Sequence, residues 1–234
     1  MIVDFHTHIL PHMDDGAESV EMSLAMLRAE QEQGVGKVIL TPHFYRQIET
    51  PESFLQRRAA SMTQLLKRSE TAELPEMRLG AEVAMVKGLS RISLKPLCIE
   101  NTRTLLLELP YAPLQQNTLR ELQGILDRNE VTVVLAHVER YRRLWGRKTW
   151  DSVMALPVYK QLSCSALFHK DPVQRHQVFR WIREERVHLL GSDAHNCTLR
   201  PVTMDRAVSC LRQKQLDGAL ERMMQTAEKL LLTE

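Results

Sequence analysis

The sequence predicts an α/β fold: a distorted parallel (β/α)7 barrel, similar to a TIM barrel but one strand short of the common closed form. Two observations lead to this prediction. Seven short runs rich in valine, isoleucine and leucine alternate with longer amphipathic runs, as is typical of βα units. The 234 residues also fit one barrel, and no linker or repeat divides them, so we expect a single domain over residues 1–234.

The seven apolar runs have the length and composition of buried parallel strands. Several of them stop at a histidine or a carboxylate, a feature that becomes important below. In chain order the runs are Ile2 to His6, Lys37 to Thr41, Met77 to Val83, Thr104 to Leu109, Val131 to Ala136, Tyr159 to Cys164 and Val187 to Gly191.

Helical patterns fill most of the intervals between these strands. In the first, Val20, Leu24 and Leu27 are spaced at i, i+4 and i+7, and Gly34 supplies a stop. The second begins at Thr50-Pro51, which suit an N-cap and a first helical turn. Apolar residues at helical spacing follow in four groups: Phe54, Leu55, Leu65 and Leu66; Leu119, Leu122, Ile125 and Leu126; Val173, Val178 and Ile182; Leu216, Leu220 and Met223.

Residues of the types that bind metals stand at the ends of six of the seven predicted strands. They are His6 and His8, His43, Glu82, Glu108, His137, and finally Asp193 with His195. Because the C-terminal strand ends of a parallel barrel meet at one mouth, we expect these side chains to converge. Burying Glu82 or Glu108 in such apolar runs also requires a metal or another cation nearby.

Each of these residues has a simpler interpretation when it is taken alone. The two N-terminal histidines could form a surface pair, the glutamates could pair with arginines, and the other histidines could be hydrogen-bonded core residues. Their joint occurrence at strand ends favours a metal centre. The histidines without this placement are expected to be surface or structural residues: His12, His169, His176 and His188.

The loop after the first strand adds Asp14, Asp15 and Gly16. Gly16 allows a turn that would aim Asp15 at the mouth, whereas Asp14 fits better as the cap of a helix beginning near Glu18. With Asp15 the candidate ligands number nine, which suits two or three divalent ions sharing carboxylates. Imidazole and carboxylate without thiolate favour manganese, iron or zinc.

Such a centre predicts hydrolysis of phosphate esters, with water shared between the ions as the nucleophile. Arg140 and Arg200 lie in loops just beyond predicted ligands, and guanidinium suits bidentate phosphate binding. The other arginines of the basic run 140–148, Arg142, Arg143 and Arg147, are more simply solvated. That run could instead receive an acidic partner segment, and it is the only feature that favours nucleic acid.

Six segments together resemble the polymerase and histidinol phosphatase (PHP) superfamily. They are D-F-H-T-H-I-L-P-H-M-D-D-G at 4–16, T-P-H at 41–43, G-A-E at 80–82, L-E-L-P at 107–110, A-H-V-E-R-Y at 136–141 and S-D-A-H-N at 192–196, followed by Arg200-Pro201. Within that superfamily, the chain more closely resembles the bacterial manganese-dependent protein-tyrosine phosphatases of capsule and exopolysaccharide operons. The match is collinear from the first strand to Pro201.

The resemblance implies the PHP fold, a distorted seven-stranded barrel, with a trinuclear centre and manganese as the first choice of metal. Arg140 and Arg200 would hold the phosphate. The implied substrate is the tyrosine-rich tail of a bacterial tyrosine kinase that regulates polysaccharide export. By position, one ion would bind His6, His8, Glu82 and Asp193, a second Glu82, Glu108 and His137, and a third Asp15, His43 and His195.

Two departures from the family bear on substrate fit: Val202 stands where a second proline is usual, and the segment between Cys164 and Val187 is short. A small-molecule phosphatase, such as one for histidinol phosphate, is the main alternative. A non-catalytic binding module or a nuclease is another. A thiol-based phosphatase is excluded because none of the four cysteines begins a Cys-x5-Arg motif.

Composition and charge argue against several other classes of protein. A net charge of +2 is too small to indicate nucleic-acid binding by itself. The sequence contains no apolar run long enough for a membrane span and no secretory signal, so we expect a cytoplasmic protein with reduced cysteines. The sequence leaves the oligomeric state open.

Overall fold

The computed structural model describes residues 1–69 and 73–232. In this part of the chain all strand pairings are parallel, and the strands form a three-stranded sheet, β1-β2-β4, and a six-stranded sheet, β3-β5-β6-β7-β8-β9. The strands are β1 Ile2–Thr7, β2 Val35–Leu40, β3 His43–Phe44, β4 Glu76–Leu79, β5 Glu82–Ala84, β6 Thr104–Glu108, β7 Thr132–Leu135, β8 Tyr159–Ser163 and β9 Leu189–Gly191. The predicted α/β class with parallel strands is confirmed.

Helices follow most of the strands. They are α1 Val20–Glu32, α2 Pro51–Ser69, α3 Gln116–Arg128, α4 Arg147–Met154, α5 Pro172–Arg183, α6 Met204–Gln213 and α7 Asp217–Leu230. The side chain of Ser19 caps α1 by accepting from the backbone of Met22. Gly34, beyond the other end of α1, has a φ of +79°, which glycine adopts without steric cost. No helix of the described residues is long and apolar enough to cross a membrane.

The chain breaks at two places near the predicted strand ends. The third predicted strand is interrupted at Gly80-Ala81, which divides it into β4 and β5, whereas the second ends at Leu40, one residue before its predicted end, and the short strand β3 follows after Pro42. Pro42 has no N–H group for a strand ladder, although its carbonyl still accepts from the backbone of Glu82 at 3.0 Å. These breaks place His43 and Glu82 opposite each other at the start of paired strands.

The last strand returns to the first. The backbone of Thr7 forms a parallel bridge with Ala194, just beyond β9. The amide of His8 donates to the carbonyl of Ala194 at 2.9 Å, and that of Asp193 donates to His6 at 2.8 Å. Backbone hydrogen bonds therefore hold the first and the last groups of predicted ligands along the chain side by side.

Three segments differ in detail from the helical patterns of the sequence. The irregular interval 83–104 contains two short 3-10 helices, Leu89–Arg91 and Lys95–Leu97. Leu66 and Val173 were expected on apolar helix faces but are exposed to solvent. Val173 lies in the first turn of α5, ahead of the residues that this helix buries, Val178, Phe179, Trp181 and Ile182.

One pair of acids is buried in the core. Asp4 of β1 and Glu30 of α1 are both inaccessible to solvent. Asp4 accepts hydrogen bonds from the backbone of His6 and Ser192, whereas Glu30 faces the carboxyl group of Asp4 and has no ion pair with a basic side chain among the described residues. Burial, and then the charge of Asp4, raises the pKa of Glu30 well above its ordinary value. Glu30 therefore keeps its proton at a pH where an exposed glutamate has lost it.

We expect Glu30→Gln to stabilise the protein increasingly as the pH rises. Between the unfolded and folded pKa values of Glu30, only the folded state binds the proton, so the wild type loses about 1.4 kcal/mol of unfolding free energy per pH unit. The glutamine variant lacks this loss. Urea unfolding from about pH 5 to about pH 8 measures it, with Glu32→Gln at the exposed end of α1 as the control. A difference between variant and wild type that does not change with pH would contradict the assignment.

Candidate metal centre

The centre begins at the end of β1, where alternate residues lie on one side of the strand. His6 and His8 are fully buried, and their Nε2 atoms are 3.0 Å apart. Two imidazole nitrogens this close need a proton or a metal ion between them, because their lone pairs repel. The other ring nitrogen of His8 lies 2.7 Å from a carboxylate oxygen of Asp14.

Glu82, the first residue of β5, occupies the middle of the centre. One of its carboxylate oxygens, Oε2, lies 3.1 Å from His6 Nε2, 3.3 Å from His8 Nε2 and 3.0 Å from His43 Nδ1. The other oxygen, Oε1, lies 2.8 Å from Nε2 of His137. Burial alone would raise the pKa of Glu82, but the charge of His6 and hydrogen bonds from its neighbours hold it well below its ordinary value. Glu82 is therefore a buried anion.

Asp193 closes the centre from the opposite side. Its Oδ1 atom lies 3.7 Å from His6 Nε2 and 3.5 Å from His8 Nε2. Its Oδ2 atom accepts from Arg200 Nη2 at 2.7 Å and from Arg140 Nη2. The two arginines predicted to hold phosphate thus meet at one carboxylate oxygen. Burial opposes ionisation, yet the charges of His6 and Arg140 keep the pKa of Asp193 well below its ordinary value.

His43, His195 and Asp15 form the outer part of the centre. Asp15 Oδ1 lies 3.6 Å from His43 Nε2 and 3.4 Å from His195 Nε2. The Asp15 side chain is 65% exposed, so this part faces the mouth. His43 Nδ1 and His195 Nε2 are buried yet make no hydrogen bond of adequate geometry within the described chain. Buried nitrogens in this state suit a donor set that holds a cation.

Glu108 and His137 extend the centre along β6 and β7. His137 Nε2 lies 3.4 Å from Glu108 Oε1 in addition to its contact with Glu82. Burial alone would lower the pKa of His137, but the hydrogen bonds to Glu108 and Glu82 raise it to about 9. His137 also has a positive φ of 30°, and Asp193 one of 55°, which only surrounding structure maintains in residues other than glycine.

All nine residues predicted as ligands are therefore gathered in one cluster. In each of three sets, ligand atoms lie within 4.8 Å of one another and could hold a metal ion; the sets are His8, Asp15, His43 and His195; His6, His8 and Asp193; and His43, Glu82 and Glu108. This grouping differs slightly from the one implied by the family. His8 joins the outer set, and His43 takes the place of His137 beside the two glutamates.

The prediction that Asp14 caps the helix beginning near Glu18 is wrong. The Asp14 carboxylate does not cap α1, because Ser19 does so. Instead Asp14 contacts His8 and accepts from the backbone amide of His43 at 2.8 Å. The charge of Asp14 raises the pKa of His8 well above its ordinary value, against the effect of burial. Asp14 thus fixes the orientation of His8 from behind the centre.

Gln161 and Tyr141 position ligands of the centre, although the sequence analysis did not identify them. Gln161 Oε1 accepts from the backbone of His137 at 2.7 Å and lies 3.3 Å from His6 Nδ1. The hydroxyl of Tyr141 accepts from the backbone of Leu109 at 3.0 Å and lies 3.4 Å from His137 Nδ1. A signal for Gln161 existed: it is an amide in the middle of an apolar run, and that run is the one without a ligand type at its end.

We expect Gly191→Ala to destabilise the protein by about 1–3 kcal/mol, the usual cost of overpacking a core. An added Cβ atom would lie 2.6 Å from the Cβ of His6 and 2.8 Å from Nε2 of Gln161. Gly36→Ala is the matched control, because there the Cβ atom would meet the exposed, flexible side chain of Met1. Urea unfolding of both variants measures the difference, and equal losses would contradict the close packing of Gly191 against His6.

Comparison with known proteins extends over nearly the whole chain. A family described as capsular polysaccharide synthesis, CpsB/CapC, matches residues 2–232. The tyrosine-protein phosphatase YwqE of Bacillus subtilis is 29% identical, over 99% of this chain and 91% of that protein. The tyrosine-protein phosphatase CpsB of Streptococcus agalactiae is 24% identical, over 98% of both chains.

A solved structure gives the corresponding comparison of folds. It comes from a crystallographic study of YwqE from Bacillus subtilis and CpsB from Streptococcus pneumoniae, described as unique metal-dependent tyrosine phosphatases. The TM-score is 0.82 at 24% identity, covering 98% of this chain and 94% of the solved one. The two chains therefore share a fold.

Proposed function

Because the chain belongs to the CpsB/CapC family of capsular polysaccharide synthesis, we propose that it is a metal-dependent protein-tyrosine phosphatase. The observation that carries the proposal is the convergence of nine ligand-type side chains and two arginines: eight in the three sets above, His137 through its contacts with Glu82 and Glu108, and the arginines on Asp193. The relatives named as tyrosine-protein phosphatases align over nearly the full chain, which supports the same activity here.

The proposed metal centre uses the nine predicted residues. Glu82 would be shared, because its two oxygens face different histidines: His6 at 3.1 Å and His137 at 2.8 Å. Bound divalent cations would supply Lewis-acid chemistry, neutralising phosphate charge and lowering the pKa of water. The oxygen and nitrogen donors favour manganese first, with iron and zinc as alternatives. Two to three ions fit the donor count: His6, His8, Glu82 and Asp193; Glu82, Glu108 and His137; Asp15, His43 and His195.

Arg140 and Arg200 would bind and orient the phosphoryl group. Each guanidinium group has five N–H donors. Asp193 Oδ2 accepts a hydrogen bond from one nitrogen of each arginine. The remaining N–H donors of both guanidinium groups can therefore face a phosphate at the mouth. Their side chains are 34% and 39% exposed, so a substrate can reach them. Asp193 therefore holds both groups in place before substrate arrives.

The proposed architecture is a seven-stranded barrel. The interrupted strands can be counted as two bent strands, β2 with β3 and β4 with β5, since backbone hydrogen bonds continue across both breaks, from Gly80 to Leu40 and from Glu82 to Pro42. The bridge between Thr7 and Ala194 would close the barrel. In this proposal every ligand lies in a strand or in the loop that follows one, and all of them face the same opening.

The proposed substrate is a phosphotyrosine protein, specifically the tyrosine-rich tail of a bacterial tyrosine kinase that regulates capsule or exopolysaccharide synthesis. A cytoplasmic location is part of the same proposal. The mouth is a cavity of about 470 Å³ lined by Glu108, Tyr111, His137 and Arg140, among others. A cavity of this volume is in the range of sites that bind small organic groups, which suits an aromatic phosphate ester.

We expect the manganese-loaded protein to hydrolyse a phosphotyrosine peptide and to lose this activity when the metal is removed by a chelator. His195→Ala should lower kcat/KM by more than about a hundredfold, because changes behind a metal ligand alone cost about 10- to 100-fold. His176→Ala, an exposed histidine of α5, is the control. Turnover that survives chelation, or a preference for histidinol phosphate over the peptide, would contradict the proposal.

We expect Arg140→Lys and Arg200→Lys to weaken inhibition by inorganic phosphate and to lower kcat/KM, each by about tenfold. A single ammonium group cannot form the bidentate contacts of guanidinium with both Asp193 and phosphate. Metal content should stay as in the wild type. Arg212→Lys, in the exposed last turn of α6, controls for a loss of surface guanidinium. Unchanged inhibition by phosphate in both variants would contradict the assigned role.

A further inference from the structure

A second cavity lies directly beside the mouth. It measures about 390 Å³, and it shares a wall with the mouth cavity that includes Arg143, Ala166 and Gln174. A chain whose phosphorylated residue enters the mouth can therefore extend into the second cavity. We call this cavity the side pocket; its main lining residues are Arg142, Trp145, Arg147, Val173, Val178 and Trp181.

The floor of the side pocket is apolar and fixed. Trp145 stacks on Tyr141 with ring centroids 4.7 Å apart and planes only 5° from parallel, and its Nε1 donates to the carbonyl of Ala112 at 2.9 Å. Trp150 links Trp145 to Trp181, with centroid distances of 6.2 Å and 4.9 Å. Because Tyr141 also lies against His137, the floor is attached to the metal centre.

The rim of the side pocket is rich in arginine. Arg147 is 86% exposed, with its nearest carboxylate, that of Asp151, 3.7 Å away. Arg143 pairs with Asp171. Arg142 has no ion pair among the described residues, although it lines both the side pocket and an adjoining polar cavity. The rim thus has guanidinium groups available for an acidic ligand.

The surface around both cavities also exposes large apolar side chains. Tyr111 lines the mouth and Val173 lines the side pocket, and these residues are 70% and 75% exposed. Tyr111 and Val173 thus add exposed apolar surface to the edges of the two cavities.

We propose that the side pocket binds the polypeptide segment next to the phosphotyrosine of the substrate. A large apolar side chain of that segment would enter above Trp145 and Trp181, and an acidic neighbour would bind Arg142 and Arg147. Two observations favour this ligand. The arginines at the rim complement acidic residues, and the side pocket shares a wall with the mouth that would hold the phosphotyrosine. The inference rests on the proposed phosphatase function and adds a sequence preference to it: acidic and apolar residues beside the phosphotyrosine.

The first test compares three substrates: a phosphotyrosine peptide with glutamate and phenylalanine neighbours, one with lysine and alanine, and p-nitrophenyl phosphate, which is too small to reach the side pocket. Arg142→Glu/Arg147→Glu should lower kcat/KM for the acidic peptide by about tenfold or more, in a manner that depends on ionic strength. Hydrolysis of p-nitrophenyl phosphate should stay unchanged. Arg212→Glu, on the exposed surface of α6, should leave all three rates as in the wild type.

The second test fills the side pocket without changing its charge. A Cβ atom added at Gly146 has no heavy atom within 4 Å, so Gly146→Leu would occupy open space in the pocket. This variant should lower kcat/KM about tenfold for the peptide with phenylalanine and spare the peptide with alanine. Gly218→Leu, in the first turn of α7, is the matched control because its Cβ would make only an ordinary contact with Arg222.

The outcomes separate this inference from the function on which it rests. If the wild type hydrolyses none of the three substrates, the proposed phosphatase function is wrong, and the inference fails with it. If it hydrolyses all three but the two variants affect every substrate equally, or leave the acidic peptide unchanged, the side pocket does not bind the substrate. Competition by single-stranded DNA that disappears in the arginine variant would instead identify a nucleic-acid site and overturn the proposal.

Discussion

The centre depends on one constraint: the carboxylate of Glu82 is buried, so positive charge must lie beside it. An ionised carboxylate without such partners is too costly to bury. Four imidazoles surround it, those of His6, His8, His43 and His137, at 2.8 to 3.3 Å. These side chains come from three strands or their ends, β1, β3 and β7, so the strands must meet where Glu82 lies. Protons on the histidines or bound cations can supply the required charge.

The same constraint explains why the ligands could be predicted and the residues behind them could not. A histidine or carboxylate at the end of an apolar run has few stable environments, so sequence alone indicates that His6, His43 and Glu82 converge. Asp14 has two plausible local roles, and only the folded loop brings it within 2.7 Å of His8. Gln161 acts across strands that are distant in sequence, so its partners depend on packing.

The fold, too, is predictable from the sequence only in part. Alternating apolar and amphipathic runs predict parallel strands and helices, because that pattern reflects burial. They do not predict the break at Gly80, where neighbouring side chains pack closely, or the short strand β3 that follows Pro42. The basic run 140–148 also changes meaning in the structure. Its Trp145 is buried against Tyr141, whereas Arg143 and Arg147 remain at the rim, so one short segment joins the metal centre to the adjacent pocket.

The central claim is that Glu82 is shared between metal ions at the meeting point of the strands. Anomalous diffraction from crystals of the protein grown with manganese tests it most directly. We expect at least two manganese peaks, one on the His6 side of Glu82 and one on the His137 side, each within bonding distance of a different carboxylate oxygen. A single peak, or peaks that do not contact Glu82, would contradict the claim.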